Sequence, residues 1–393
     1  MKKVIQIIIG SALIVMILLA FKNLHTDKDV INSSMIVPID IETQVVVAGE
    51  EGESEEETES QTKEPEPVPQ IRTVTISAVG DCALGPVQTR GYAGSFHEYY
   101  DNFGADYFFK GVKEVFSADD FTLVNLECVL SDEENAREKT WTIKGKPEYV
   151  QILTDGSVEA CSLGNNHTQD YGDASLTDTQ NVLTEAGILY GYNEHTASYL
   201  TEDGISIGVV SASLLSKSEQ SENYIKDGIA RLREAGTDIV IACCHWGTEG
   251  EHMPTDYQIK TGRKIVDWGA DMVIGTHPHV LQGMEEYNGK IICYSLGNFC
   301  FGANGNPSDK NTLIFQQRFT FIDGVKQDTT EAWIIPCRLS SVPDYNDYQP
   351  TLFEGDEKQA VIDKMNEYSK AYRDRTFRDV GYMITEIIWN EDE

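Results

Sequence analysis

An α/β domain built on a largely parallel sheet is the fold class this sequence predicts, carried behind an apolar N-terminal segment and an acidic tether. Three observations predict it. From residue 71 onward, short β-rich runs alternate with stretches of helical periodicity. The runs are apolar along their whole length, as expected of strands covered on both faces. They also end, one after another, on polar side chains, and in open α/β sheets binding residues gather at the carboxyl ends of strands.

Met1-Lys2-Lys3 comes first, followed by Val4 to Phe21, "VIQIIIGSALIVMILLAF", 18 residues without a charge. As a helix rising about 1.5 Å per residue, this run just covers a hydrocarbon core of about 30 Å. The two lysines favour a cytoplasmic N-terminus. No small-x-small cleavage site follows the run, so residues 1–21 are expected to stay as a single-pass anchor with the rest of the chain outside the cytoplasm. Residues 22–70, with 13 acidic and 3 basic side chains and the stretch "EEGESEEETESQTKEPEPVP", are expected to form a disordered linker. Such a composition cannot bury a core, and its charges repel one another. The main domain is expected over residues 71–340. A C-terminal extension over 341–393, with a helix and a final strand, is expected to pack on it.

Within the domain, "TVTISAV" reads as a strand ending at Gly80-Asp81, followed by "FTLVNLE" and "VEACSLGNN". Then come "ISIGVVSAS", "DIVIACCHW", "DMVIGTH" and "KIICYSLGNF", with helical candidates at 174–187 and 255–269 between runs. After residue 310 the run "TLIFQQRFTFIDGVKQDTTEAWIIPCRL" reads as antiparallel, with Asp323-Gly324 as the turn. A helix at about 356–373 and the β-like "GYMITEIIW" close the chain. No internal repeat is present.

Charge narrows the partners. Of the formal net −33, −25 belongs to residues 71–393, which disfavours nucleic acid or an anionic membrane surface as a partner. A polyanionic ligand would need metal ions or local basic groups. The eight cysteines all sit in or beside apolar segments without metal-knuckle spacing; most read as small buried hydrophobes, and no disulfide is expected.

The strand ends carry the chemistry. Strand one ends at Asp81, strand two at Glu127 and strand three at Asn166-His167; two later strands end at His245 and at His277-Pro278-His279. Taken singly, a strand-end Asp is an ordinary helix cap and a lone His an ordinary core group. Together, three imidazoles, two carboxylates and an amide form a mixed nitrogen and oxygen environment for one or two divalent transition metals. In "HPH" both rings project to one side if the backbone is extended, which Pro278 favours for His277. Such a site generates hydroxide near neutral pH or polarises a phosphoryl or carbonyl oxygen. His167, beside a candidate ligand, is placed to give a proton to a leaving group.

The series "SAVGDCALG", "NLECVL", "GNNHTQDYG", "CCHWGTEGEHMP", "GADMVIGTHPHVLQGME" and "YSLGNFCFG" resembles the CapA family of poly-γ-glutamate capsule synthesis proteins, a branch similar to the calcineurin-like metallophosphoesterases. The resemblance runs from about residue 72 to about 340 and implies a calcineurin-like, layered α/β sandwich. It implies Asp81 and His279 on a first metal, Glu127 as the bridging carboxylate, and Asn166, His245 and His277 on a second, with His167 as the catalytic histidine. Asp170 and Glu249 would orient imidazoles from behind, although Asp170 also reads as a cap for the following helix. Mn, Fe and Zn suit the set. Two departures stand out: Cys82-Ala83 follow Asp81 where many metallophosphoesterases have Asp-x-His, which leaves one ion as an alternative to two, and Gly250 stands where the family often has Tyr. The resemblance further implies a membrane-bound, extracytoplasmic protein that makes, exports or anchors an anionic polymer such as poly-γ-glutamate, alongside other capsule-synthesis membrane proteins. A metal-dependent hydrolase of a phosphoester, and a metal-stabilised scaffold without turnover, remain open beside it.

Overall fold

The computed structural model describes residues 68–328, 330–373 and 377. The expected anchor, nearly all of the linker and the final "GYMITEIIW" strand lie outside the described residues. Among the described residues, no helix is long and apolar enough to cross a membrane.

In chain order the strands are β1 (Ile71–Ala83), β2 (Phe121–Leu126), β3 (Val129–Leu130), β4 (Lys144–Gly145), β5 (Ala160–Ser162), β6 (Leu189–Gly191), β7 (Ala197–Leu200), β8 (Ser206–Ser213), β9 (Ile239–His245), β10 (Met272–Thr276), β11 (Met284–Tyr287), β12 (Lys290–Cys293), β13 (Asn298–Phe301), β14 (Asn311–Ile322), β15 (Val325–Lys326), β16 (Glu331–Arg338) and β17 (Thr351–Leu352). They form two large sheets rather than the one expected, with β3 and β4 paired apart from both. The first runs β17-β16-β14-β1-β2-β5-β6, with β13 and β15 attached to β1 and β14; the second runs β11-β12-β10-β9-β8-β7. Each has a parallel centre, β1-β2-β5-β6 in one and β12-β10-β9-β8 in the other.

Side-chain alternation explains how the sheets stack. In β9, Ile239, Ile241 and Cys243 join one buried cluster while Val240, Ala242 and Cys244 join another. The first of these clusters also contains Val74, Ile76 and Ala78 of β1 and Phe121 and Leu123 of β2, so it fills the space between the two sheets. The second lies under helices Glu219–Glu234 and Asp256–Asp267. A third cluster covers the far face of the first sheet, from Val79, Val124 and Cys161 out to Phe96, Phe108 and Ile152. The inner strands of the parallel centres are thus buried on both faces, with the edge strand β6 half-buried, and four layers result. All eight cysteines are free and buried.

"KIICYSLGNF" is divided between the sheets, with β12 in one and β13 in the other. The crossing passes Gly297, at φ 71°, whose carbonyl accepts from Asp81 N at 2.8 Å. A Cβ on Gly80 would meet that same carbonyl oxygen at 1.9 Å, so only glycine permits the approach. The Asp323-Gly324 turn closes β14 onto β15 with φ of 51° and 80°, the positive pair a tight hairpin requires. Helix Gly172–Glu185 occupies the first helical candidate, shifted two residues, and helix Gly355–Ser369 buries Val361, Ile362 and Met365 in the inter-sheet cluster.

Candidate metal centre

The polar strand ends converge between the two sheets. Asp81 lies in β1 where its pairing with β2 shifts register between Ala78 and Asp81. A bulge of this kind re-aims a side chain. Glu127 follows β2, the Asn165–His167 turn follows β5, His245 is the last residue of β9 and His277 follows β10. The expected single sheet edge is therefore two edges, because three of these strands belong to one sheet and two to the other. At their carboxyl ends, Gly164 N donates to Ser211 Oγ at 2.9 Å, tying the β5 turn to β8.

Glu127 stands at the centre. It is fully buried, and neither carboxylate oxygen has a hydrogen-bond partner among the described residues. Oε1 faces one group of donors: His245 Nε2 lies 3.4 Å away. That nitrogen is 2.8 Å from Asn166 Oδ1 and 3.1 Å from His277 Nδ1. Oε2 faces the other: His279 Nδ1 lies 3.9 Å from it and 3.1 Å from Asp81 Oδ2. Ligands about 2.1 Å from one tetrahedral ion stand about 3.4 Å from each other, so these spacings match the edges of a coordination shell. Two donor triads, Glu127–His277–His279 and Asp81–Glu127–His245, each have ligand atoms within 4.8 Å of one another; both contain Glu127 and both draw from its two sides, so the two groups adjoin.

Protonation points the same way. Burial, then the charge of Asp81, pushes the Glu127 acid well above the usual carboxylate range. Burial pushes His245 well below the ordinary imidazole value and lowers His277 too, with neighbouring imidazoles adding to both. Burial also pulls on His279, but the carboxylates of Glu127, Asp81 and Glu249 outweigh it and raise that ring to about 10. A dry pocket that resists a bare carboxylate at Glu127 and a protonated ring at His245 and His277 is satisfied by a cation, which pairs with the one and takes the lone pairs of the others. The orphaned Glu127 oxygens and the donor chemistry therefore fit a divalent metal.

The supporting residues explain the crowding in "GNNHTQD". Asn165 is structural: its Nδ2 donates to Leu126 O at 2.8 Å and its Oδ1 accepts from His167 N at 3.0 Å. That frees Asn166 to present Oδ1 to His245. The His167 Nδ1–Asp170 Oδ2 distance is 2.6 Å, which leaves Nε2 facing Glu127 Oε1 at 4.0 Å. Asp170 does not cap the helix, whose N-cap is Tyr171; its Oδ2 also accepts from Ile143 N at 2.7 Å. Glu249 is exposed, and among the described residues no hydrogen bond joins it to the imidazoles. It acts through its field, raising the proton affinity of Glu127, His277 and His279.

The "HPH" segment is not extended. His277 and His279 have φ of 96° and 59°, a left-handed region costly for non-glycine residues and found where surrounding structure over-determines the chain. Here His277 N donates to Asp81 Oδ2 at 3.2 Å, and Asn298 brackets His279, with Oδ1 2.9 Å from its Nδ1 and Nδ2 donating to its carbonyl (3.2 Å).

Sequence reasoning missed Asn298 and three further residues. Asn125 Nδ2 donates to Asp81 Oδ1 at 2.8 Å, and Thr276 Oγ1 lies 3.0 Å from His245 Nδ1. Lys139 places Nζ 2.7 Å from Asn166 O, 2.6 Å from Asp170 Oδ1 and 3.2 Å from His167 Nδ1. The available signal was a local run of Arg137, Lys139, Lys144 and Lys146 in an otherwise acidic domain.

The sequence pattern described as "Bacterial capsule synthesis protein PGA_cap" matches residues 75–303, a span that holds every one of these site residues. The chain belongs to that family. The PGA biosynthesis protein CapA of Bacillus subtilis (strain 168) is 31% identical over 231 residues, covering 54% of this chain and 61% of that protein. The capsule biosynthesis protein CapA of Bacillus anthracis is 27% identical over 266 residues, covering 61% and 63%. A probable polyglutamine synthesis accessory protein of Mycobacterium tuberculosis (strain CDC 1551 / Oshkosh) is 26% identical over 256 residues, covering 57% and 67%. The matched region thus spans less than two thirds of either CapA relative.

Proposed function

We propose that this PGA_cap chain is a membrane-anchored, extracytoplasmic protein that takes part in the synthesis, export or anchoring of an anionic capsular polymer such as poly-γ-glutamate, through a divalent-metal site. The observation that carries the metal is Glu127, a buried carboxylate whose two oxygens have no hydrogen-bond partner among the described residues and which has three imidazoles around it. The capsule role is supported by the family and by the printed functions of its relatives. The anchor is supported by the uncharged run Val4–Phe21.

In this reading Asp81 and His279 would hold one ion and Asn166, His245 and His277 a second, with Glu127 shared; were a single ion bound, Glu127 would stay with the second group. The metal, bound there, supplies Lewis acidity toward a phosphoryl, carbonyl or carboxylate oxygen. The chain's own work is to exclude water and to fix the rings. His167, held at Nδ1 by Asp170, directs Nε2 into the site, where it gives or takes a proton at a leaving group. That buried His–Asp pair is what favours a second reading, a metal-dependent hydrolase of the phosphoesterase type, over a scaffold.

Elemental analysis of the purified protein, exposed to Mn, Fe and Zn, is expected to find at least one equivalent of metal. Protein that binds none overturns the reading. His167→Ala is expected to keep the metal and lose at least about 100-fold in turnover of any chromogenic phosphoester the wild type accepts; undiminished turnover removes His167 from the chemistry. Loss of surface polymer on deletion of the gene tests the capsule role.

A further inference from the structure

Among the cations of the described residues, Lys139 alone hydrogen-bonds into the Asn165–Asp170 turn through its side chain. It sits on a segment with no regular secondary structure, between β3 and β4, and its side chain is 29% exposed while its partner Asp170 is 1% exposed. Its ammonium meets two different parts of the Asn165–Asp170 turn at once. One contact is the carbonyl of Asn166, the residue whose amide oxygen faces His245. The other is Asp170 Oδ1, on the opposite side of the carboxylate from the oxygen that holds His167 Nδ1.

We propose that Lys139 is a positioning residue of the metal centre, fixing Asn166 through its carbonyl and His167 through Asp170. The inference deepens the metal-centre reading and rests on it. An ammonium has three protons to donate and no acceptor. The 3.2 Å approach to His167 Nδ1 therefore cannot be a second hydrogen bond while that nitrogen donates to Asp170. The ring is held by the carboxylate, and the carboxylate is held by the lysine and by Ile143 N. Without Lys139, Asp170 keeps one backbone donor and the imidazole, both on Oδ2, and is free to turn about that side. The Asn166 carbonyl loses its side-chain anchor in the same step. Neighbouring cations do not replace it: Arg137 pairs with Asp173 and Lys146 with Asp101 and Glu148. Groups that orient metal ligands from behind typically account for about 10–100-fold in affinity or activity.

The test uses the full-length protein, with Mn and Zn titrated by calorimetry and histidine side-chain nitrogens followed by NMR. Lys139→Met is expected to weaken metal binding at least about tenfold and to shift the His167 ring signals away from a single Nδ1–H tautomer. Lys139→Arg is expected to restore both, because a guanidinium can still bridge the two acceptors. Arg137→Ala, which removes a side chain paired with Asp173, is expected to change neither. Metal affinity within twofold of wild type together with unshifted His167 signals in Lys139→Met overturns the proposal. Should wild-type protein bind no metal, the metal reading fails, and the His167 signals alone decide whether Lys139 positions the ring.

Discussion

Asn165 and Asn166 are adjacent and chemically identical, yet one builds the turn and the other faces the donors. The sequence places two amides after an apolar run, and the family resemblance selects Asn166; what separates the two physically is that Asn165 spends its amide on Leu126 O and His167 N. The same limit applied to "HPH", where proline suggested an extended backbone and hydrogen bonds to Asp81 and from Asn298 instead hold two left-handed histidines. Far from the centre, Asp119 gives a testable pH effect. Burial raises its acid to about 7, Oδ2 accepts from Thr122 Oγ1 at 2.8 Å, and Oδ1 is buried without a partner among the described residues. The folded chain therefore holds this proton to a higher pH than the unfolded chain, whose carboxyl titrates near about 3.9. Stability is lost as pH rises through that window, and the loss is complete above it. Asp119→Asn removes the charge and is expected to melt at least about 2 °C above wild type at pH 8 and no higher at pH 4. Identical differences at both pH values would rule out the ionisation as the cause.

At the scale of elements, strand positions were readable because each core strand is a short apolar run closed by a polar residue. Helix boundaries were less so, since they depend on caps. Helix Asp256–Asp267 shows the device: Thr255 Oγ1 accepts from Gln258 N at 3.3 Å, and Gln258 Oε1 accepts from Thr255 N at 2.9 Å. Thr255→Ala breaks this capping box and is expected to lower unfolding free energy by about 1 kcal/mol in urea titration. A loss below a few tenths would mean that burial of the apolar face alone sets the helix start. "KIICYSLGNF" is the element the sequence misrepresented. Nothing in its local pattern marks the change of sheet, which depends on a contact between Gly80 and Gly297 more than 200 positions apart.

Across the whole molecule, the two sheets share one core, and the C-terminal helix Gly355–Ser369 completes it. Val361, Ile362 and Met365 are all at or below 2% exposure. Losing any one such side chain costs about 2–5 kcal/mol against a total stability of about 5–15 kcal/mol. A chain ended after Glu354 is therefore expected to be insoluble or to show no cooperative melting by circular dichroism; a soluble truncate with wild-type melting would make the helix an accessory. The sequence by itself determined the alternation of strands and helices, the dry parallel centres and the kinds of donor at the strand ends, because periodicities of two and 3.6 are local properties of the chain. Only the tertiary structure decided that these ends belong to two sheets, that Glu127 stands between two donor groups, and that Lys139 braces the turn beside them. Those outcomes rest on how the two hydrophobic faces pack against each other, and no local window of residues contains that contact.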